Sequence, residues 1–469
     1  MVLQRDKPIR IFGSAQANDR ITIAIGELKE SVESDAEGRW NVTFEPIALG
    51  TEASNILVKN ITSGEQLEVK DVLLGDVWVL GGQSNMEFEI SKVYKGDIEI
   101  ISAHFPQIRL LMVPAGAAPD QKTNFEPINE FNNFYKVHEW KGRWDACSPK
   151  TVRQFSAIGT IFGQRLHRAG QIPIGLIDAS RGGTTVEMWT SRSSLEKIRP
   201  QLYNKMFQTM IRDWRAVFLD KDLPFGIIGF SAGGEPQTCA NFEARMVDAA
   251  PYIREAQCRA ALEMKNVAYV ASWDQQMNWY HPFKKVALGE RIARWALAQT
   301  LVLHAPWESA RVLKYEVVGQ AIVLTFDQEV ITHEGRDFEG FAIASEDRHF
   351  YPAAAKWVLK GKDDRGRDQF DRNRLTVSHP LVPNPVAVRH AWARNPLGNG
   401  VSNERRVRIL PIPGFRTDSW DYPENPLVPH NDPGMGAHRK RMKQLRQRAE
   451  TWAKERIERY GASASTSVK

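Results

Sequence analysis

Apolar positions follow three rhythms along the chain. From residue 1 to about 72 they alternate with polar ones in short runs: Ile9-Arg10-Ile11-Phe12, Ile21-Thr22-Ile23-Ala24-Ile25, Trp40-Asn41-Val42-Thr43-Phe44 and Ile56-Leu57-Val58. This period-two pattern, broken by Gly and Asn, predicts a small antiparallel β-domain over 1–72. From 73 to 305 the runs become short and nearly continuous, at Val77–Leu80, Ile108–Val113, Ile172–Ile177, Phe225–Phe230 and Val267–Ala271. Strands covered on both faces read this way. Between them lie helical stretches such as Phe155–Leu166, where Phe155, Ile158, Phe162 and Leu166 share one face. Five strands joined by helices predict a doubly wound parallel sheet in an α/β domain.

Residues 306–420 return to alternation, at Val312–Val317, Ala321–Phe326 and Val386–Arg389, which predicts a second β-domain. Residues 421–469 hold a Pro-rich extended segment and then Met442, Leu445, Ala449 and Trp452 at helical spacing among basic residues. That tail reads as an amphipathic helix. Docking on the body with a solvated basic face is preferred over an anionic surface as its partner.

A chain of 469 residues is too long for one hydrophobic core, which agrees with several domains. The formal charge of +6 points to nucleic acid until it is located. Nine Lys/Arg against three Glu between Arg439 and Arg459 account for all of it, so no basic groove and no nucleic-acid partner are expected. No apolar run reaches the roughly 18 residues that span a bilayer, and Met1–Lys7 lacks a signal-peptide core. No transmembrane segment and no export signal are expected in the chain as given, which leaves its location undetermined. Cys147, Cys239 and Cys258 are odd in number and lack CxxC spacing, so three small buried residues are expected. The scattered histidines form no HxxxH or HExxH pair, so neither a metal nor another cofactor is expected.

Candidate chemistry gathers at strand ends. Val77-Trp78-Val79-Leu80 runs into Gly81-Gly82-Gln83-Ser84, Gly182-Gly183-Thr184 follows the strand near Asp178, and Gly233-Gly234-Glu235-Pro236-Gln237 follows the one near Phe230. His281-Pro282 follows the last strand after a short loop. In an open parallel sheet such blocks meet at the C-terminal edge, where ligands bind. Each has a plainer reading. Ser84 serves equally well as a helix N-cap, a glycine pair is an ordinary tight turn, and His281-Pro282 suits a helix start.

Gly82-Gln83-Ser84-Asn85-Met86, preceded by Asp76-Val77-Trp78, resembles the nucleophile block of the sialate O-acetylesterase family, a branch of the SGNH hydrolases. The similarity extends from Met1–Arg5 to about Phe415–Asp418 and implies a three-layer, SGNH/flavodoxin-like core flanked by N- and C-terminal β-domains. It also implies a serine esterase that removes acetyl groups from a sugar. In that family frame Ser84 is the nucleophile and one oxyanion donor, and the Gly183 N–H, or failing that Gly182, is the second. His281 is the general base, then acid. Gln83 and Asn85, with Arg181, Gly182, Glu187 and Glu235, are expected substrate contacts, and Trp189 lines the same pocket. Glu187 is as readily an arginine's partner.

Two positions depart from the family pattern. Gln237 stands where it has the asparagine oxyanion donor, and Asn278 stands three residues before the histidine where SGNH enzymes often have aspartate. Asp274 is the expected third member instead. The acetylated partner is a sialate or, equally, a plant or algal polysaccharide. Gln237 and Asn278 motivate the alternative of a non-catalytic carbohydrate-binding protein.

Overall fold

The computed structural model describes residues 1–48, 53–113, 130–131, 139–140, 142–191, 203–332, 335–403 and 409–420, with Gln447, Thr451 and Lys454 beyond them. Apart from those three, the Pro-rich segment and basic helix expected over 421–469 lie outside the described residues. The chain divides into two compact units, Met1–Gly183 and Thr184–Lys469. The architecture is mixed α/β with a large mixed sheet. No helix among the described residues is long and apolar enough to cross a membrane.

The strand Gln66–Leu80 organises the first unit. It is largely exposed as far as Asp71 and buried or half-buried beyond, matching the change from polar to apolar residues at that point. Its first part pairs antiparallel with Ser54–Asn60, which pairs with Arg20–Ile25 and so to Leu28–Glu33. Along its second part Val2–Gln4 and Ile174–Asp178 run parallel to it, and Ile174–Asp178 also pairs parallel with Phe105–Met112. Trp144–Cys147 adds an antiparallel edge, completing an eight-stranded sheet. The expected boundary at 72/73 therefore falls inside one continuous strand. The alternating runs do what their period requires, burying Ile21, Ile23 and Ile25 with Trp40, Val42 and Phe44 in one core.

The helix Ala157–Gly170 packs on the apolar half of this sheet. Ser156 caps it, its Oγ accepting from the Gly159 N–H at 3.1 Å. A Cβ built on Gly159 would lie 2.1 Å from Leu80 Cδ1, and one on Gly163 2.7 Å from Leu176 Cδ1. Glycine at both positions lets the helix approach the sheet. Phe162 then meets Trp78 edge-on at 5.0 Å, and its near-complete burial contributes about 2–3 kcal/mol.

In the second unit Phe225–Ile228 and Val267–Val270 form a parallel two-stranded ladder. The five expected parallel strands thus appear as three in the first unit's sheet and two here. The helix Val286–Thr300 covers the pair so closely that a Cβ on Gly226 would lie 2.6 Å from Ile292 and Trp295. A β-rich part follows, with one four-stranded sheet centred on Ala321–Phe326 and Asp368–Ser378 and another on Phe341–Ala344 and Ala387–His390. Its core buries Ile322, Leu324, Phe326, Phe341, Leu375 and Val388. Buried Arg254 ties this part to the ladder, donating to the carbonyls of Phe230, Ala393 and Arg394 at 2.8, 2.7 and 2.6 Å. The three cysteines are all free thiols, but only Cys147 is fully buried, and Cys239 is exposed, contrary to expectation.

Candidate active site

In the first unit the buried strand ends at Leu80, and Gly82 turns the chain at φ +135°, a conformation open to glycine. Ser84 is the first residue of the short helix Ser84–Glu87, whose N-cap is Gln83. The helix therefore does not use the Ser84 hydroxyl as its cap, and that plainer reading of the serine falls away. Ser156 holds the far end of the segment, its Oγ donating to the Met86 carbonyl at 2.6 Å, while the Ala157 N–H donates to Phe88 O at 2.8 Å. One side chain thus caps the packing helix and fixes the serine's helix.

The glycine block lies against this segment. The Arg181 N–H donates to Gly82 O at 2.8 Å, and the Gly182 N–H donates to Glu87 Oε2 at 2.6 Å. A Cβ on Gly182 would lie 2.8 Å from that carboxylate oxygen and 3.5 Å from Ser84 Cβ, so Gly182 and Ser84 are neighbours. With the Gly182 N–H turned to Glu87, Gly183 remains as the loop's candidate oxyanion donor; its φ is +78° and its Cβ position is open space. Of the expected substrate contacts here, Gln83 is exposed and Asn85 and Arg181 are half-buried.

Two buried carboxyl groups sit beneath the loop. Asp178 Oδ1 accepts from the Ser180 N–H at 3.0 Å and from Ser180 Oγ at 2.5 Å. Burial, reinforced by the nearby Glu87 charge, raises its pKa to about 7. Neither Glu87 nor Asp178 stood out as a site residue in the sequence; Glu87 acquires its partner only when segments 95 residues apart meet, whereas Asp178 bonds locally to Ser180.

In the second unit His281 is buried to 8% exposure and lies edge-on to Trp279 at 4.8 Å. Burial first, and the charge of Lys285 second, hold its pKa below the ordinary histidine value. A ring kept neutral at pH 7 is in the form a general base requires. Lys285 is itself buried, and that burial brings its pKa down to about 7.

The structure brings the loop at 233–237 and the histidine segment together. A Cβ on Gly233 would lie 2.6 Å from Trp279 O and 3.1 Å from Tyr280 Cα. Asn395, buried and unmarked in the sequence, donates from Nδ2 to Gly234 O at 2.7 Å and to Met277 O at 3.2 Å. It joins both loops from more than a hundred residues away.

Two expected roles are not what the geometry gives. Gln237 is 3% exposed; its Nε2 donates to Phe242 O at 2.8 Å and its Oε1 accepts from the Leu397 N–H at 3.1 Å. Its amide braces the fold. Asp274 makes no hydrogen bond to His281: Oδ1 accepts from Arg291 Nη1 at 2.7 Å, and Oδ2 from Arg291 Nη2 at 2.5 Å and Gln275 Nε2 at 2.7 Å. Helix position explains this, since Arg291 projects from Val286–Thr300 into the end of the Val267–Val270 strand and also donates to Ala271 O. Glu235 is ion-paired to Arg245. Glu187 lies in the turn Val186–Trp189 and pairs with no arginine among the described residues. Trp189 is held by Thr184 Oγ1 at 3.0 Å and, through its carbonyl, by Trp214 Nε1 at 2.7 Å.

Residues 74–217, which include Ser84 and the glycine block, match the family model described as carbohydrate esterase, sialic acid-specific acetylesterase. The crystal structure of a carbohydrate acetylesterase from Xanthomonas citri superposes with a TM-score of 0.75 at 26% identity, covering 89% of this chain and 97% of that one. Over residues 74–217 the chain is similar to the sialate O-acetylesterase family. Rat sialate O-acetylesterase is 28% identical over 206 residues, 42% of this chain and 36% of that protein. The human sialate O-acetylesterase is 30% identical over 211 residues, 42% of this chain and 38% of that protein. The chain thus spans under two fifths of the length of the curated relatives it matches. The family-model match ends before Glu235, Gln237, Asp274 and His281. Among the described residues no group of three or more His, Cys, Asp or Glu is placed to hold a metal ion.

Proposed function

We propose that the chain is a serine carbohydrate esterase that removes O-acetyl groups from a sugar through an acyl-enzyme at Ser84, without a metal. The observation carrying this reading is the placement of Ser84 as the first residue of a helix, next to Gly182, with the Gly182 N–H withdrawn to Glu87. Attack by Ser84 Oγ on the acetyl carbonyl puts negative charge on the carbonyl oxygen. The N–H groups of Ser84 and Gly183 are assigned to that charge. His281 takes the serine proton and returns it to the departing sugar oxygen; water, activated by the same ring, then releases acetate. In this reading a three-layer SGNH-like core with flanking β-domains carries both residues. The sugar is a sialate or a polysaccharide unit.

The commitments of Gln237 and Asp274 to the fold favour a second reading, a carbohydrate-binding protein without turnover. Hydrolysis of p-nitrophenyl acetate and a panel of acetylated sugars, wild type against Ser84→Ala in the presence of chelator, separates the two. Ser84-dependent acetate release that survives the chelator is the expected result. Saturable sugar binding by a folded sample with no Ser84-dependent release establishes the second reading instead.

A further inference from the structure

The segment around His281 exposes three aromatic side chains: Trp279 at 43%, Tyr280 at 61% and Phe283 at 37%. Three large aromatic rings exposed within five residues are not what burial of apolar surface produces by itself. They are also held. Trp279 lies against the His281 ring at 4.8 Å and against Phe283 at 5.7 Å. Their backbone packs on Gly233, where any side chain would clash, and the Arg394 guanidinium sits over the Tyr280 ring at 5.8 Å while its Nε pairs with Asp248 at 3.1 Å.

We propose that Trp279 and Tyr280 form a binding subsite for the pyranose ring of the acetylated substrate, with Arg394 as its polar edge. A pyranose presents one face of C–H groups carrying slight positive charge, which suits the negative face of an aromatic ring. Its hydroxyl groups lie around the rim, within the reach of a guanidinium donor. An aromatic platform fixed beside the histidine holds the sugar and leaves the ester free to be turned towards the reacting groups. This subsite rests on the esterase reading for its substrate, but binding and turnover are read separately.

The test titrates Ser84→Ala protein with O-acetylated methyl hexopyranosides, following tryptophan fluorescence, with an acetylated acyclic alditol as the control ligand. Ring preference over the alditol, weakened about tenfold by adding Tyr280→Ala, is expected. Adding Trp279→Phe instead, which keeps an aromatic beside His281, removes most of the fluorescence change. In the Ser84-containing enzyme, Tyr280→Ala lowers kcat/KM for the acetylated pyranoside relative to that for p-nitrophenyl acetate, mainly through KM. Equal affinity for pyranoside and alditol, or an affinity untouched by Tyr280→Ala, overturns the subsite. Tyr280-dependent pyranoside binding without Ser84-dependent hydrolysis supports the subsite and refutes the esterase reading.

Discussion

The Glu87 carboxylate accepts the backbone N–H of Gly182 at 2.6 Å, across 95 residues of chain. Both ends of the contact are sterically defined, since a Cβ on Gly182 would meet the same oxygen at 2.8 Å. Glu87 therefore turns the Gly182 amide inward to protein, and under the esterase reading proposed above leaves Gly183 as the amide for substrate. Glu87→Ala leaves a part-buried N–H without its acceptor, at about 1–3 kcal/mol in stability, and frees the loop to turn. Its expected kinetic signature is a fall in kcat of about ten- to a hundredfold with little change in KM, because oxyanion contacts strengthen in the transition state. Glu87→Gln keeps an acceptor oxygen and is expected to recover most of that loss. A fall confined to KM would show that the contact serves binding alone.

Much of the fold around Ser84 is legible in the sequence because its determinants are local. An apolar run ending in Gly81-Gly82 predicts a strand and a turn, and both are present, with Ser84 buried at the start of the next helix. The helix read over Phe155–Leu166 is likewise present as Ala157–Gly170, although its cap at Ser156 was not read from the sequence. Glu87, Gln237, Asp274 and Asn395 were not legible in their roles. The partner of Glu87 lies 95 residues away, and Gln237 receives the Leu397 N–H from 160 residues on. No periodicity encodes such pairs. Sheet continuity was hidden for a related reason: the strand Gln66–Leu80 changes pattern at its middle because its two halves have different neighbours, so it reads as a domain boundary.

Asp274 is the residue on which sequence expectation and geometry disagree most sharply. Its ion pair with Arg291, whose side chain is only 4% exposed, makes it a structural partner. Asp274→Asn removes the countercharge of a buried guanidinium and is expected to lower stability by about 2–3 kcal/mol. Activity per folded molecule, measured well below the melting temperature, is expected to fall less than about tenfold. Loss of the acid from a catalytic triad costs roughly ten-thousandfold. A loss of that size with an unchanged melting temperature would restore Asp274 to the triad.

Acting as a base, His281 must be neutral, so kcat/KM is expected to fall as pH drops through its pKa. Burial, then the Lys285 charge, places that pKa below the ordinary 6.5. The acid limb should therefore lie below pH 6.5. Lys285→Met keeps an apolar stem of similar length in the buried site and removes the charge. The limb is then expected to move to higher pH, while the alkaline plateau changes little. A limb that stays in place would mean that the Lys285 ammonium does not act on the ring.

His390 provides a pH dependence of stability that is independent of turnover. It is fully buried among Phe341, Phe415 and Trp273, with ring centroids 4.6, 5.6 and 5.6 Å away, and burial brings its pKa from 6.5 to about 4. Between those values the unfolded chain binds a proton that the folded one refuses. Stability from this group is thus complete above pH 6.5 and declines as pH falls towards 4, by about 3 kcal/mol in all. Below pH 4 both states are protonated and the contribution levels off. His390→Leu removes the titrating group while keeping an apolar side chain, so denaturant unfolding followed from pH 7 to pH 4 should show a shallower loss of stability than wild type. Parallel curves for the two proteins would mean that the ring accepts its proton without leaving the folded core.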